Sequence, residues 1–133
     1  LTKKAKEILN DTNSGEKLGF TYGVAAKLLN CYLKTIFVTQ FIDSLSATEK
    51  EKVSVIHPPI DRLLINSIKN KLHLIYADTE MEEKRKFWNS KDIQSWSLYE
   101  ARDYKKVIGE IKQIQKKRNQ PLWMIEAYWP GHQ

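Results

Sequence analysis

The sequence contains a single cysteine, Cys31, and only five glycines among its 133 residues. One cysteine excludes an intrachain disulfide bond and a zinc site built from several thiolates, and it is typical of a reducing, cytoplasmic setting. The glycines form no glycine-rich phosphate loop, and no serine lies in a nucleophile elbow. These absences argue against a P-loop nucleotide hydrolase and against a serine hydrolase.

Long apolar runs are also missing. The longest uncharged apolar stretch in the middle of the chain runs from Thr35 to Ile42, far below the ~20 residues that a bilayer-spanning helix needs. No signal peptide is recognisable, and we expect no membrane association. The three histidines, His57, His73 and His132, lack ligand spacing and have no paired carboxylates beside them, so we expect neither a metal site nor a cofactor.

Length and composition fit one domain that covers residues 1–133. Apolar residues make up 41% of the chain and charged residues 29%, a balance that supplies a core and argues against disorder. The apolar residues repeat with the period of α-helices. We therefore predict a single all-α domain in which five or six helices pack around one central, buried helix.

The predicted helices follow from this periodicity and from residues that favour helix ends. The central helix covers Thr21–Ile42, with Thr21 as its N-cap, and apolar side chains on nearly all its sides indicate burial. The other predicted elements before residue 90 are a short helix at Thr2–Leu9, a loop at Asn10–Gly19, a polar connection with a helical turn at Asp43–Lys52, an extended piece at Val53–Ile56, a helix from Pro59 to Tyr76, and a helix at Glu80–Trp88 after a capping box at Thr79. A capping box at Ser97–Glu100 opens the next helix, which Asn119 and Gln120 break and whose one apolar face carries Ala101, Tyr104, Val107, Ile108, Ile111 and Ile114. The final helix runs from Pro121 to Trp129.

One polar stripe interrupts the apolar surface of the central helix. Gly23, Lys27, Asn30 and Lys34 are spaced four, three and four residues apart, so they fall within ~60° of one another around the helix axis. A bare, solvent-exposed stripe explains this spacing. Alternatively, because the rest of the helix is apolar, the lysines snorkel, find partners or lie in a cleft.

A second polar cluster, residues 57–61, opens the next long helix. Pro58 keeps His57 out of the helical conformation, and Asp61 lies in the first turn, where the helix dipole and free N–H groups favour a carboxylate. Both residues can be purely architectural, His57 through a hydrogen bond to a backbone carbonyl. If they face the lysine stripe instead, Asp61 is an acceptor for Lys27 or Lys34, or a catalytic carboxylate.

The net charge of +6 is concentrated in one part of the chain. Such a domain attracts phosphate backbones, anionic lipids and acidic proteins. Seven basic residues against two acidic ones lie between Arg102 and Arg118. Within this helix Arg102, Lys105, Lys112 and Lys116 are candidate contacts to nucleic acid, whereas a solvated helix face is the plainer interpretation.

The segment Gly23-Val24-Ala25-Ala26-Lys27-Leu28-Leu29-Asn30, followed later by Pro59-Ile60-Asp61, resembles the helix-hairpin-helix DNA glycosylases. In that family a Gly-Val-Gly-x-Lys segment supplies the nucleophilic lysine of the bifunctional members. A Val-Asp or Ile-Asp pair at a later helix start supplies the catalytic carboxylate, as in the endonuclease III-like enzymes. The stretch from Pro121 to Trp129 is similar to the final helix of archaeal 8-oxoguanine glycosylases. The chain from Phe20 onward also resembles a group of small bacterial proteins.

This resemblance implies a base-excision enzyme that acts on DNA. Lys27 would be the nucleophile that forms a Schiff base with the sugar, and Asp61 the carboxylate that stabilises the cationic transition state. Asn30, Lys34 and His57 would support this site, with Lys34 as the reserve nucleophile. The competing hypothesis is a non-enzymatic protein-interaction or scaffold module, which a large exposed apolar surface would favour.

Overall fold

The computed structural model describes residues 20–39 and 42–128, and every regular element in those ranges is helical. Seven α-helices fall within them, and none of the helices there is long and apolar enough to cross a bilayer. The α-helices are α1 (Tyr22–Leu33), α2 (Ala47–Ser54), α3 (Arg62–Asn70), α4 (Leu72–Ile75), α5 (Asp78–Asn89), α6 (Lys91–Gln94) and α7 (Ala101–Arg118). A π-helix at Lys34–Thr39 continues α1, and 3₁₀ helices occupy Ile42–Ser44, Trp96–Leu98 and Leu122–Tyr128. The predicted all-α class is confirmed for these residues.

The hydrophobic core is built around α7. Its buried face carries Tyr104, Val107, Ile108, Ile111 and Ile114 at helical spacing, which confirms the apolar face predicted for this helix. The core residues that other segments contribute are Ile60, Leu64, Ile65, Ile68, Leu72, Tyr76, Trp88, Ile93, Tyr99 and Ile125. Removal of such a side chain from water stabilises the fold by roughly 1.5–3 kcal/mol, so this cluster carries most of the hydrophobic stabilisation.

The predicted central helix, Thr21–Ile42, is shorter than expected. Its N-cap is the expected one, because the Thr21 hydroxyl accepts a hydrogen bond from the N–H of Val24. The α-helix ends at Leu33, where the π-helix begins. No residue of α1 belongs to the buried core cluster, and Ala26 packs against that cluster from outside.

α1 buries its polar side and exposes part of its apolar side, which was not predicted. Leu28, Leu29 and Tyr32 are 56%, 57% and 62% exposed, whereas Gly23 and Asn30 are buried. The prediction that apolar side chains on nearly all sides would be buried is therefore wrong, and the polar stripe faces the protein. A helix that is apolar all round has no single preferred face, so the partners available to its polar groups decide the rotation.

Gly23 brings the start of α1 into direct contact with the 3₁₀ helix Trp96–Leu98. The N–H of Gly23 donates to the carbonyl of Tyr99 at 3.1 Å. A Cβ at position 23 would lie 2.1 Å from the carbonyl oxygen of Trp96. The Thr21 hydroxyl also donates to the carbonyl of Ser97. The close approach of these two segments requires a glycine at position 23.

Several predicted element boundaries need correction. Residues 43–56, expected to form a polar connection with one helical turn and then an extended piece, contain the eight-residue helix α2, which starts with a Ser46–Glu49 capping box. The expected capping boxes at Thr79 and Ser97 are absent, because α5 begins after Ala77 and α7 after Glu100. The remaining differences are the division of the predicted Pro59–Tyr76 helix into α3 and α4, the additional helix α6, and the 3₁₀ form of the final segment, Leu122–Tyr128. The predicted elements Thr2–Leu9 and Asn10–Gly19, and also Trp129, lie outside the described residues.

The contact at Gly23 gives a first testable prediction. Gly23→Ala should destabilise the fold by about 2 kcal/mol, because the new methyl group meets a backbone carbonyl that cannot move aside cheaply. Gly109→Ala is the matched control: nothing lies within 4 Å of a Cβ there, so the variant should gain ~0.5–1 kcal/mol from its higher helix propensity. Thermal unfolding followed by circular dichroism measures both changes. Equal effects of the two substitutions would contradict the packing described here.

Candidate functional site

The polar stripe of α1 meets a partner at each position. Lys27 Nζ lies 3.1 Å from Asp61 Oδ2, and Lys34 Nζ forms an ion pair with Glu126. Asn30 Nδ2 donates to the hydroxyl of Tyr104 at 2.9 Å. The stripe is therefore an interface of paired groups rather than a solvated surface. The expected pairing of Asp61 with Lys27 or Lys34 is confirmed for Lys27.

Asp61 uses its two carboxylate oxygens for different tasks. It is the N-cap of α3, and its Oδ1 accepts a hydrogen bond from the N–H of Leu64 at 2.9 Å. The other oxygen faces Lys27. The cap fixes the rotamer of the carboxylate, so the ion pair adds no further ordering of Asp61. Local sequence dictates this arrangement, because the preceding Pro58-Pro59 pair keeps the chain extended up to the helix start.

Lys27 lies between two open clefts. The first, of about 340 Å³, is lined by residues that include Cys31, Thr35 and Pro59 beside the Lys27–Asp61 pair. The second, of about 270 Å³, is lined by Arg62, Leu63 and Trp96 beside the same pair. The lysine ammonium also lies 4.8 Å from the centroid of the Trp96 ring, within the range of a cation–π contact. With 31% of its side chain exposed, Lys27 is reachable from solvent.

Lys34 lines the first cleft together with Lys27, but its partner is different. The ion pair connects it to Glu126, which is 1% exposed and belongs to the 3₁₀ helix Leu122–Tyr128. The sequence analysis did not single out Glu126. A glutamate 92 residues away along the chain, in a short apolar segment, carries no local signal that it faces α1.

Asn30 and His57 were expected to support Lys27, but both contact the hydroxyl of Tyr104 instead. His57 Nδ1 lies 3.0 Å from the Tyr104 hydroxyl, which also accepts the Asn30 hydrogen bond. Because the Asn30 amide donates to the phenol oxygen, the phenol hydrogen is available for His57 Nδ1. Burial raises the pKa of Tyr104 to about 12 although the Asn30 hydrogen bond opposes the shift. Tyr104 was predicted only as a core residue of its helix.

Cys31 lines the cleft beside Lys27 and Lys34. Burial raises the pKa of its thiol, and the nearby Lys27 ammonium offsets only part of that effect. Cys31 is therefore a neutral thiol at physiological pH, and its position gives the cleft a soft, weakly polar wall.

The candidate nucleic-acid residues lie along α7. Lys105, Lys112 and Lys116 are exposed and share one face of the helix. Lys105 and Lys112 line a depression of about 290 Å³ with His57 and Tyr22. This depression shares no lining residue with the 340 Å³ cleft at Lys27. Arg102 lies one turn before Lys105, and its nearest carboxylate is Asp103 at 3.7 Å.

No protein-family model, curated protein or solved structure gives a match to this chain. Within residues 20–39 and 42–128, no group of three or more His, Cys, Asp or Glu side chains converges as metal ligands would.

The position of His57 predicts a pH dependence of stability. Burial, reinforced by the charge of Lys112, lowers the pKa of His57 below its usual value; Lys105, Tyr22 and Tyr104 are the other titratable groups around it. The unfolded chain then binds a proton more readily than the folded one. The free energy of unfolding should thus be unaffected above ~pH 6.5 and should fall as the pH drops below that value.

His57→Asn tests this dependence, because the amide oxygen can still accept the Tyr104 hydrogen bond but cannot titrate. Urea unfolding between pH 7 and pH 5 should show a shallower loss of stability for this variant than for the wild type. His73→Asn, at an exposed position of α4, controls for the loss of an imidazole. The expectation is wrong if His57→Asn follows the wild-type curve.

Proposed function

We propose that this domain binds the phosphate backbone of DNA along α7. Lys105, Lys112 and Lys116 are separated by seven and four residues, which at 1.5 Å per residue places their Cα atoms about 10.5 and 6 Å apart along the helix axis. Each strand of DNA carries a phosphate every ~3.4 Å of its axis. Along the axis, the two spacings in this lysine row are therefore close to those of every third and every second phosphate of one strand.

The observation that carries this proposal is the absence of competing carboxylates. Asp103 is within ion-pair distance of Arg102 and Lys106, and Glu110 pairs with Lys84 on the opposite side of α7. Within the described part of the chain Lys105, Lys112 and Lys116 form no ion pair. A row of cations without internal partners attracts an external polyanion.

The surface beside this row is concave. Lys112 borders the 290 Å³ depression and also a larger one of about 500 Å³. The second depression is lined by Lys116, by Asn119 and by Ser54 of α2. Gly109 lies between Lys105 and Lys112 with open space above its backbone. Together the two depressions form a groove along α7 in which a phosphate backbone could run.

Neutralising the row tests the proposal. The triple variant Lys105→Gln, Lys112→Gln and Lys116→Gln should bind a fluorescent DNA oligonucleotide much more weakly than the wild type. The slope of log affinity against log salt concentration should decrease by about 0.9 for each lost phosphate contact. Fluorescence anisotropy between ~50 and 200 mM salt measures both quantities.

A second triple variant with the same charge change is the control. Lys50→Gln, Lys86→Gln and Lys91→Gln alter exposed residues that line neither depression. This variant should keep a salt slope close to that of the wild type. The proposal fails if both triple variants lose affinity equally, or if the wild type shows no binding at low salt.

A second candidate function is lyase or glycosylase chemistry at Lys27. The observation that favours it is the ion pair with Asp61 at 3.1 Å, set between two solvent-reachable clefts. Asp61 is close enough to accept the proton that the ammonium must lose before its amine can attack. The free amine would attack sugar C1′ as the glycosidic bond breaks and the base leaves with the electron pair. With an abasic sugar it would condense with the aldehyde, release water and form a Schiff base.

Borohydride trapping tests this chemistry. Hydride transfer to the Schiff-base carbon would give a stable secondary amine between the protein and an abasic DNA oligonucleotide. Lys27→Gln should abolish this covalent product, and Asp61→Asn should slow its formation about 10²-fold or more while binding is retained. Denaturing gel electrophoresis after a time course measures the rate.

Two further variants make the trapping result specific. Lys91→Gln controls for reaction at exposed lysines in general, and Lys34→Gln shows whether the reserve nucleophile in the same cleft reacts instead. If Lys27→Gln is trapped as fast as Lys91→Gln, Lys27 is not the nucleophile. If Lys34→Gln is also trapped at that rate, this cleft has no such chemistry, and the alternative to DNA binding by α7 is a protein-interaction module, which the exposed Leu28, Leu29 and Tyr32 of α1 support.

A further inference from the structure

We propose that the groove of α7 binds single-stranded DNA more tightly than duplex DNA, because one unpaired base stacks on Tyr22 in the 290 Å³ depression between Lys105 and Lys112. This inference rests on the proposed DNA binding by the lysine row and adds the strand type that is recognised. It also names a residue, Tyr22, whose contribution to binding should be independent of the lysine charges.

The ring of Tyr22 is exposed and packs against a buried ring. Tyr22 is 41% exposed, and its ring lies 5.4 Å from the Tyr104 ring at an interplanar angle of 59°. Tyr104 is 6% exposed and so offers a rigid support. An exposed aromatic ring that packs against a buried ring and lines a depression is the kind of platform on which bases of a single strand stack.

The same depression offers a directed hydrogen-bond donor. The Tyr104 hydroxyl accepts from Asn30 and can therefore donate to His57 Nδ1, which places the imidazole hydrogen on Nε2. His57 lines the depression, so this N–H is available to an acceptor on a base edge. Ring carbonyls and unprotonated ring nitrogens of bases are such acceptors.

The volume of the depression and the charge around it fit one nucleotide. A volume of about 290 Å³ is near the lower end of the ~300–1,000 Å³ found for small-molecule pockets, which suits a single planar base. Lys105 and Lys112 lie on the two sides of Gly109 along α7, where they can hold the phosphates that flank the base. A base inside a duplex is stacked on both faces and paired at its edge, so it cannot reach Tyr22.

The test compares strand types rather than total affinity. Fluorescence anisotropy at low salt measures binding of a twelve-nucleotide oligothymidylate and of a twelve-base-pair duplex. Tyr22→Leu should weaken binding of the single strand about tenfold or more and leave duplex binding unchanged. Tyr22→Phe keeps the ring and should bind both as the wild type does. Tyr32→Leu, which removes a tyrosine that is also exposed on α1, should change neither.

The outcomes separate this inference from the proposed function. One outcome is that the wild type binds DNA through the lysine row while Tyr22→Leu and Tyr32→Leu bind the single strand equally well. In that case the proposed stacking site is wrong, and the proposed phosphate binding by the lysine row is retained. If Tyr22→Leu weakens single-strand and duplex binding alike, Tyr22 has no stacking role. If the wild type binds neither ligand, both proposals are wrong. Circular dichroism of each variant verifies that the helical fold is retained.

Discussion

The ammonium groups of Lys27 and Lys34 are partly buried where α1 and the following π-helix meet the rest of the molecule, and each has a carboxylate beside it. Removing a charge from water costs several kcal/mol unless an opposite charge replaces the lost hydration. Asp61 and Glu126 meet that requirement for one rotation of α1 about its axis. Gly23 permits the same rotation because it lets the helix start touch Trp96. The pairing of the polar stripe, rather than the burial of apolar side chains, thus determines the rotation of α1 about its axis.

With α1 in this orientation, the short segment 57–61 contributes to two separate sites. Residues 57–61 supply His57 to the depression beside α7 and Asp61 to the clefts at Lys27. Asn30 and Tyr104 lie between the two and join α1 to α7 by a buried hydrogen bond. The proposed binding at the lysine row and the proposed chemistry at Lys27 would consequently depend on different side chains, although one helix and one loop position both.

The sequence predicted the parts of the structure that depend on local rules. The Thr21 cap and the apolar face of α7 follow from short-range patterns and are confirmed. The exposed side of α1 was mispredicted, because periodicity cannot rank the faces of a helix that is apolar all round. The contacts of Glu126 and Tyr104 with α1 span 92 and 74 residues, and no local pattern encodes pairs so distant.

The candidate site could be predicted only in part for the same reason. Lys27 and Asp61 were expected to approach each other, and they do. Asn30 and His57 were assigned to that pair, yet they contact Tyr104 instead. Helical spacing correctly placed Lys27, Asn30 and Lys34 on one face. The partner of each of these residues depends on tertiary packing, and the spacing of residues along the chain carries no information about that packing.

No residue of α1 belongs to the buried core cluster, so we expect α1 and the core helices to differ in local stability. α3 and α7 are held by side chains whose exposure would require the whole core to open. α1 is held by the Lys27–Asp61 ion pair, by hydrogen bonds of Gly23 and Asn30, by the Tyr22–Tyr104 ring contact and by Ala26 against the core, so we expect it to open at a lower free energy than α3 or α7. If α1 opened in this way, Lys27 would separate from Asp61, whereas the lysine row of α7 would be unchanged. The population of the closed state would therefore limit the proposed chemistry at Lys27, whereas the proposed attraction of phosphates by α7 would persist in both states.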